Sequence, residues 1–137
     1  MIYLLDTNVC IALIDGRPPA ARTRLALALA AGAELVVSAV AVFELSYGIG
    51  KSARPNENAE RVERFLAGPI SVLPFDREDA EAAGAIRSVL EKAGRPIGPF
   101  DLLMAGQAVR RNWTLVTANR REFSRVKGLV WEDWVRH

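Results

Sequence analysis

The sequence begins with MIYLLDTNVC, residues 1–10. Residues 2–5 are apolar or aromatic throughout, which is typical of a β-strand that is buried on both faces. This run ends at once on Asp6, Thr7 and Asn8. A carboxylate directly after an interior strand is favoured at the carboxyl edge of a parallel sheet, where α/β proteins form their sites. The opening residues therefore predict an interior strand that carries a functional acid at its end.

Apolar runs and helical segments alternate along the rest of the chain. Strands are expected at residues 2–5, 35–37, 70–73, 115–117 and 129–131. Helices are expected at residues 9–14, 20–31, 39–49, 57–66, 78–93 and 102–111, with Ser38 and Asp76 as N-caps. The pattern predicts an α/β fold in which helices flank a small, mainly parallel sheet of four to five strands, within one domain over residues 1–137.

The overall charge does not by itself indicate a polyanionic partner. Lys and Arg number 18 against 16 Asp and Glu, so the formal net charge is +2. The last third nevertheless contains Arg110, Arg111, Arg120, Arg121 and Arg125. Clustered guanidinium groups suit phosphate, because each planar fork can pair with two oxygens at once. The alternative is a solvated helix face that binds nothing.

The scarcity of cysteine and histidine excludes several classes of site. Cys10 is the only cysteine, so no disulfide can form within the chain, and its apolar neighbours predict a buried thiol. His137 is the only histidine. A histidine-based catalytic triad and a histidine-rich zinc site are therefore not expected.

Neither a secretion signal nor a membrane span is expected from the sequence. Asp6 interrupts the N-terminal apolar run too early for a signal peptide. The apolar stretch over residues 25–45 is broken by Gly32, Glu34 and Ser38, and is better explained as helix, turn, strand and helix. We therefore expect a cytoplasmic protein.

Glu44 lies on an apolar face of the helix expected at residues 39–49. The face consists of Val40, Phe43, Glu44 and Tyr47, at the spacing i, i+3, i+4 and i+7. A carboxylate on such a face is costly unless it is paired or binds a metal. Two alternatives remain: the helix is rotated so that Glu44 reaches water, or Glu44 pairs with Arg17 or Lys51.

Two later polar residues occupy positions comparable with that of Asp6. Asp101 opens an apolar helix after a stiff loop that is rich in Gly and Pro, although an acid in a first helical turn is also favoured by the helix dipole alone. Asn119 follows the strand expected at residues 115–117, where Asn also commonly forms turns. All of these side chains are expected at one rim of the sheet.

A rim that gathers Asp6, Glu44 and Asp101 restricts the chemistry. Neighbouring carboxylates repel one another and either take up protons or need a cation. Oxygen ligands without His or Cys favour Mg²⁺ or Mn²⁺ over zinc, and such sites support metal-assisted phosphodiester hydrolysis. Two rival hypotheses stay open. One is a phosphatase with Asp6 as nucleophile, which normally needs an acid where Asn8 stands, and the other is a non-catalytic binding module with a decayed site.

Four stretches of the sequence, in order, carry a family resemblance. They are LLDTNV at 4–9, FELSYG at 43–48, IGPFDLLMA at 97–105 and LVTANRREF at 115–123, followed by a closing GLVWEDW at 128–134. Together they resemble the PIN-domain family, in particular the VapC-type toxins of bacterial toxin–antitoxin pairs. The resemblance implies a metal-dependent endoribonuclease with an acidic pocket for Mg²⁺ or Mn²⁺. Its alternative is a catalytically weakened PIN-like module that binds RNA or protein.

The resemblance also implies roles for individual residues. Asp6, Glu44 and Asp101 fall on the family's main acidic positions, and Asp6 and Asp101 would be the metal ligands. Glu44 would complete the surroundings of the metal directly or through water. Thr7 and Asn8 would shape the pocket from behind.

The fourth catalytic position and the partners also follow from the resemblance. Asn119 falls where many relatives carry Asp, which implies one well-bound ion and a second that arrives with the substrate phosphate. Glu122 would supplement the site.

The resemblance further implies an RNA substrate, a cognate antitoxin that holds the enzyme inactive, and a homodimer. The small and apolar positions in residues 20–31 and 39–49 suit a dimer, although they equally suit a core.

Overall fold

Five strands and seven helices form the part of the chain that the computed structural model describes, residues 1–136. The strands are β1 Ile2–Leu5, β2 Glu34–Ser38, β3 Ser71–Leu73, β4 Thr114–Val116 and β5 Val130–Glu132. The helices are α1 Thr7–Asp15, α2 Pro19–Ala30, α3 Ala39–Lys51, α4 Pro55–Leu66, α5 Arg77–Lys92, α6 Pro99–Arg111 and α7 Arg120–Phe123. His137 lies outside the described residues.

All five strands belong to one parallel sheet in the order β3-β2-β1-β4-β5. β1 is the central strand, and Leu4 lies opposite Val36 of β2 on one side and Leu115 of β4 on the other. The α/β prediction is confirmed, and each expected strand is present within one or two residues of its predicted bounds. Helix α7 was not predicted, because four residues are too few for a periodic apolar pattern.

The core lies on both faces of the central strands. Leu4 and Leu5 are fully buried, as the uninterrupted apolar run of β1 requires. Cys10 is also buried, as predicted. At the far end of the chain, Trp134 packs edge-to-face against Tyr3, with ring centroids 5.2 Å apart. This contact holds the segment after β5 against the central strand.

Helix α3 presents a different face to the core than the sequence pattern suggested. Its buried residues are Val40, Ala41 and Leu45. Phe43 and Tyr47 are instead 56% and 65% exposed, so the expectation that they form an interior face with Glu44 is wrong. The helix is rotated because the small Ala41 and the branched Leu45 fit closely against the sheet. The rotation leaves Glu44 half-buried, so the alternative in which the helix turns Glu44 toward water is correct in part.

The apolar stretch over residues 25–45 folds as helix, turn, strand and helix, as predicted. Within residues 1–136, no helix combines the length and the apolar character that crossing a bilayer requires. Ser38 begins α3 as expected, since its hydroxyl oxygen accepts a hydrogen bond from the N–H of Val40.

Helices α5 and α6 pack unusually closely, and Gly106 makes this approach feasible. A Cβ atom at position 106 would lie 2.5 Å from the backbone nitrogen of Ala83, far inside van der Waals contact. The close approach brings the buried Asp79 of α5 next to Arg111 of α6. The Nε and Nη2 atoms of Arg111 each donate to an oxygen of Asp79 at 3.1 Å.

Asp79 also completes the start of α5. Asp76 is the N-cap, and it exchanges hydrogen bonds with Asp79 in a capping box. Arg110 pairs with Glu78 at 2.9 Å. Arg110 and Arg111 are thus engaged in holding two helices together, which removes both from the phosphate-binding cluster considered from the sequence.

We predict that Asp79→Ala lowers the free energy of unfolding by about 3–5 kcal/mol, because it removes the buried carboxylate that accepts from both Nε and Nη2 of Arg111 and leaves that guanidinium only the more exposed Asp76. Urea denaturation of the purified protein measures this change. Glu81→Ala is the matched control on the same helix, since Glu81 is 63% exposed and its pair with Arg77 is worth less than about 1 kcal/mol. Equal effects of the two substitutions would contradict the prediction.

Candidate metal-dependent active site

Asp6 lies at the carboxyl end of β1 and at the start of α1. Its backbone N–H donates to the carbonyl oxygen of Val116 at 3.0 Å, which extends the pairing of β1 with β4 by one residue. Its Oδ1 accepts a hydrogen bond from the N–H of Val9 at 2.9 Å and so caps α1. Asp6 is only 4% exposed. Two structural elements therefore hold this carboxylate in place.

Glu44 is half-buried on α3 and is held by a residue next to Asp6. The hydroxyl of Thr7 donates to Oε1 of Glu44 at 2.6 Å. No ion pair joins Glu44 to Arg17 or Lys51 in the described structure, and the Lys51 ammonium instead lies 4.9 Å from the ring centroid of Tyr47. Thr7 thus links the first turn of α1 to the middle of α3.

Asp101 and Asn119 are brought into direct contact. The Nδ2 group of Asn119 donates to Oδ2 of Asp101 at 3.2 Å and to Oε2 of Glu122 at 2.7 Å. Asn119 also begins α7, because its Oδ1 accepts from the N–H of Glu122. Its expected role as a helix cap and its expected place beside Asp101 are therefore both observed. The amide holds two carboxylates close together without adding a charge.

Burial dominates the electrostatics of Asp6. It raises the pKa of Asp6 from 3.8 to about 6, while hydrogen bonds from Thr117 and from the N–H of Val9 act in the opposite direction. The negative charges of Glu44 and Asp133 contribute smaller parts of the same rise in pKa. Asp133 is a contributor that the sequence did not suggest, and it follows β5 just as Asp6 follows β1.

Asp101 is perturbed in the same direction. Its pKa is raised to about 7, chiefly by burial, then by a hydrogen bond and charge repulsion from Glu122, and last by the charges of Asp6 and Glu44. The pKa of Glu122 is lowered, chiefly by its hydrogen bond with Asp101. A proton shared between these two groups therefore belongs mainly to Asp101.

The rim lacks a positive charge of its own. Among residues 1–136, no Lys or Arg nitrogen lies within 4.0 Å of a carboxylate oxygen of Asp6, Glu44 or Asp101. Carboxylates that are crowded without a counter-ion are stabilised in their charged form by a bound cation.

The donor set suits a hard divalent cation that keeps part of its water shell. In the part of the chain that the structure describes, no three His, Cys, Asp or Glu side chains are close enough together to hold a metal by themselves. An ion of the Mg²⁺ type commonly takes only one or two carboxylates from the protein and fills its other positions with water and phosphate oxygens. The oxygens of Asp6 and Asp101 fit that pattern.

The remaining residues named from the sequence have varied surroundings. Asn8 is exposed, on the side of α1 away from the core. The Nη1 group of Arg125 donates to the carbonyl oxygen of Pro96 at 2.8 Å, and Arg121 is exposed. The guanidinium carbon of Arg120 lies 5.7 Å from the ring centroid of Trp131. The five arginines of the last third therefore do not form one surface.

Comparison with known proteins supports a common origin over nearly the whole chain. A family model described as "PIN domain" matches residues 3–129. The tRNA(fMet)-specific endonuclease VapC of Shigella flexneri is 42% identical over 96% of this chain and 97% of its own. Ribonuclease VapC2 of Rickettsia felis is 37% identical over 98% of each chain.

Solved structures agree with these sequence matches. A crystal structure of VapBC2 from Rickettsia felis, bound to a DNA fragment from its promoter, contains a chain that superimposes with a TM-score of 0.90. That chain is 35% identical, and the match covers 98% of this chain and 99% of the other. With the rim of acids at the carboxyl ends of β1 and β4, these matches establish that the chain belongs to the PIN-domain family, within its VapC branch.

Proposed function

We propose that this protein is a cytoplasmic endoribonuclease that hydrolyses RNA phosphodiesters with Mg²⁺ or Mn²⁺, as the toxin of a toxin–antitoxin pair. The observation that carries the proposal is the crowding of Asp6, Glu44 and Asp101 at one rim without a positive partner. The relatives described above as a tRNA-specific endonuclease and a ribonuclease support the same reaction class.

The acidic residues divide into ligands and supporting groups. Asp6 and Asp101 hold the cation, and Glu44 contributes its charge directly or through water. When bound, the cation supplies a Lewis acid that neutralises phosphate charge and promotes attack by water. Thr7 keeps Glu44 oriented by the 2.6 Å hydrogen bond that it donates. Orienting hydrogen bonds of this kind are typical supports of metal ligands.

Asn119 and Glu122 support Asp101 in this proposal. The Asn119 amide donates to both carboxylates and so holds them together. An Asp at this position would instead add a negative charge to the site. The arrangement with a neutral amide is consistent with one well-bound ion. It also argues against the alternative of a decayed, non-catalytic module, because the amide is engaged in the site rather than left without a partner.

A cognate antitoxin is the proposed partner, as the VapBC2 assembly of the structural neighbour suggests. A groove of about 350 Å³ lies beside the rim, and its mostly apolar lining includes Ile11, Ile14, Leu45 and Ile49. Glu44 lines the same groove. A chain segment seated there would reach the carboxylates and bring a basic side chain among them, which would displace the cation.

A homodimer is the proposed assembly of the isolated chain. Leu27 of α2 and the α3 residues Phe43 and Tyr47 are each more than half exposed. Phe43 and Tyr47 are one helical turn apart on α3, and contiguous exposed apolar side chains of this kind are typical of interfaces. Sedimentation equilibrium tests the assembly directly, and a monomer at micromolar concentration would contradict it.

Substituting the acids should remove activity and leave the fold intact. We predict that Asp6→Asn and Glu44→Gln each lower RNA cleavage in Mn²⁺ by more than about 100-fold, since changes to groups behind metal ligands alone cost 10–100-fold. Glu34→Gln is the matched control, because Glu34 is exposed at the amino end of β2, the opposite edge of the sheet. Full activity of Asp6→Asn would refute the assignment.

Metal binding should depend on pH in a definite direction. The folded-state pKa values of Asp6 and Asp101, about 6 and about 7, lie above their ordinary value of 3.8, so the metal-free fold loses stability as pH rises from about 4 to about 7. A cation that neutralises both groups restores that stability. We predict that Mn²⁺ raises the melting temperature more at pH 8 than at pH 5.

The matched control for the Mn²⁺ measurement is Asp6→Asn combined with Asp101→Asn, in which the response to Mn²⁺ should become small at both pH values. Calorimetry measures the melting temperature of the unaltered protein and of the double variant, with and without Mn²⁺, at both pH values. An equal response of the unaltered protein at pH 5 and pH 8 would contradict the electrostatic account.

A charge placed in the groove should release the toxin from its partner. We predict that Ile11→Glu weakens binding to the cognate antitoxin by more than about tenfold, because a carboxylate in an apolar interface is costly. Val89→Glu on α5 is the control, as Val89 is 65% exposed and lies outside the groove. Calorimetric titration measures both, and equal affinities would count against the groove.

A further inference from the structure

A second cleft, formed by the segment after β5, lies near the acidic rim. It has a volume of about 310 Å³. Its lining residues, here called the arginine cleft, are Arg24, Arg120, Trp131, Glu132, Asp133 and Arg136. Three guanidinium groups and an indole thus converge from α2, α7, β5 and the C-terminal segment.

Of the two acids in the arginine cleft, Glu132 is paired with Arg24, and Asp133 is hydrogen-bonded through one of its two oxygens. Oε1 of Glu132 accepts hydrogen bonds from Arg24 at 3.2 Å and from the Trp134 indole at 3.1 Å. Oδ1 of Asp133 accepts from the backbone N–H groups of residues 135 and 136. Within residues 1–136, neither Arg120 nor Arg136 forms an ion pair. These two guanidinium groups are therefore available to an external anion.

Trp131 gives the cleft an aromatic surface beside a cation. It is partly exposed, and Arg120 lies over its ring at 5.7 Å from the centroid. Indole rings stack on unpaired bases, and arginines nearby bind the adjoining phosphates, which is the usual composition of a surface for single-stranded nucleic acid.

The cleft lies next to the acidic rim. Arg120 directly follows Asn119, whose amide holds Asp101. The N–H of Thr117, at the end of β4, donates to the carbonyl oxygen of Glu132 at 2.9 Å. Asp133, which lines the cleft, is close enough to Asp6 for their charges to interact. A polymer bound at the rim would therefore extend into the arginine cleft.

We propose that the arginine cleft binds the single-stranded RNA that flanks the bond to be cut, with Arg120 and Arg136 on phosphates and Trp131 stacked on a base. This inference rests on the proposed ribonuclease function. RNA is favoured over an acidic protein segment because the indole offers a flat surface for a base, and because the cleft adjoins a phosphodiester site.

Binding without cleavage tests the cleft separately from the reaction. The probe is a fluorescently labelled single-stranded RNA of mixed sequence, titrated with the full-length protein in EDTA at several salt concentrations. In the double variant Arg120→Gln with Arg136→Gln, we expect weaker binding and a slope of log affinity against log salt that is smaller by about 1.4, since each phosphate contact on a single strand contributes about 0.7.

The control removes the same number of charges elsewhere. Arg77→Gln with Arg87→Gln alters two exposed residues of α5 that do not line the cleft. An unchanged slope in the cleft variant, or an equal loss in the control, would overturn the proposal. Circular dichroism on each variant verifies that the proteins are folded.

Two substitutions of Trp131, one aromatic and one aliphatic, test whether its ring stacks on an RNA base. Trp131→Phe keeps a stacking ring and should retain most of the affinity, whereas Trp131→Leu should weaken binding about tenfold at equal fold content. Because leucine also fills the space beside the core, a loss confined to Trp131→Leu indicates stacking. Equal affinities of the two variants would remove Trp131 from the binding surface.

Cleavage kinetics separate the two hypotheses. If both are correct, the double arginine variant loses activity through KM, while Asp6→Asn loses it through kcat. If the unaltered protein does not cleave RNA in Mn²⁺, the proposed function fails, and the EDTA titration still reports on the cleft. If it cleaves RNA and the double variant has an unchanged KM, the cleft proposal alone fails.

Discussion

The structure depends on the parallel pairing of β1 with strands on both of its sides. Leu4 and Leu5 of β1 are fully buried between β2 and β4, so no charged side chain can be accommodated before the strand ends. Asp6 is the first residue beyond that limit, and its N–H still bonds to Val116 as though the strand continued. A fully apolar central strand thus fixes the position of the carboxylate at its tip. Every other part of the acidic rim is arranged around this fixed group.

The arrangement is electrostatically unfavourable for the protein alone, and the hydrogen bonds around it offset only part of the unfavourable energy. Burial raises the pKa of Asp6 and of Asp101 despite the donors that surround them. Thr7 and Asn119 are neutral donors: they orient carboxylates without supplying the positive charge that would make an external cation unnecessary. An arginine in either place would form an internal ion pair and abolish the need for metal. Because Thr7 and Asn119 are both neutral, the negative charge of the rim remains available to attract a cation.

Much of this fold was predictable from the sequence, because strands buried on both faces must be apolar throughout and their ends are easily recognised. The shared rim was predictable for the same reason, since the carboxyl ends of parallel strands meet at one edge. The rotation of α3 was not predictable: Phe43 and Tyr47 look like interior residues, and only the packing of Ala41 and Leu45 determines otherwise. The bond from Thr7 to Glu44 depends on the relative position of two helices, about which local sequence carries no information.

The arginines illustrate why a charge count is a poor guide to ligand binding. Arg110 and Arg111 are adjacent to each other in the sequence, yet they are engaged by the acids at the start of α5 and hold two helices together. Arg24 and Arg136 stand far apart in the sequence and meet Arg120 only because the C-terminal segment returns beside β4. Arg110 and Arg111 are each paired with carboxylates, whereas Arg120 and Arg136 form no ion pair within residues 1–136, and this difference is a property of the folded chain. A net charge of +2 therefore conceals an acidic rim and a cationic cleft that lie side by side. Under the proposed function both surfaces are needed, since one would attract the metal and the other the polyanion that is cut.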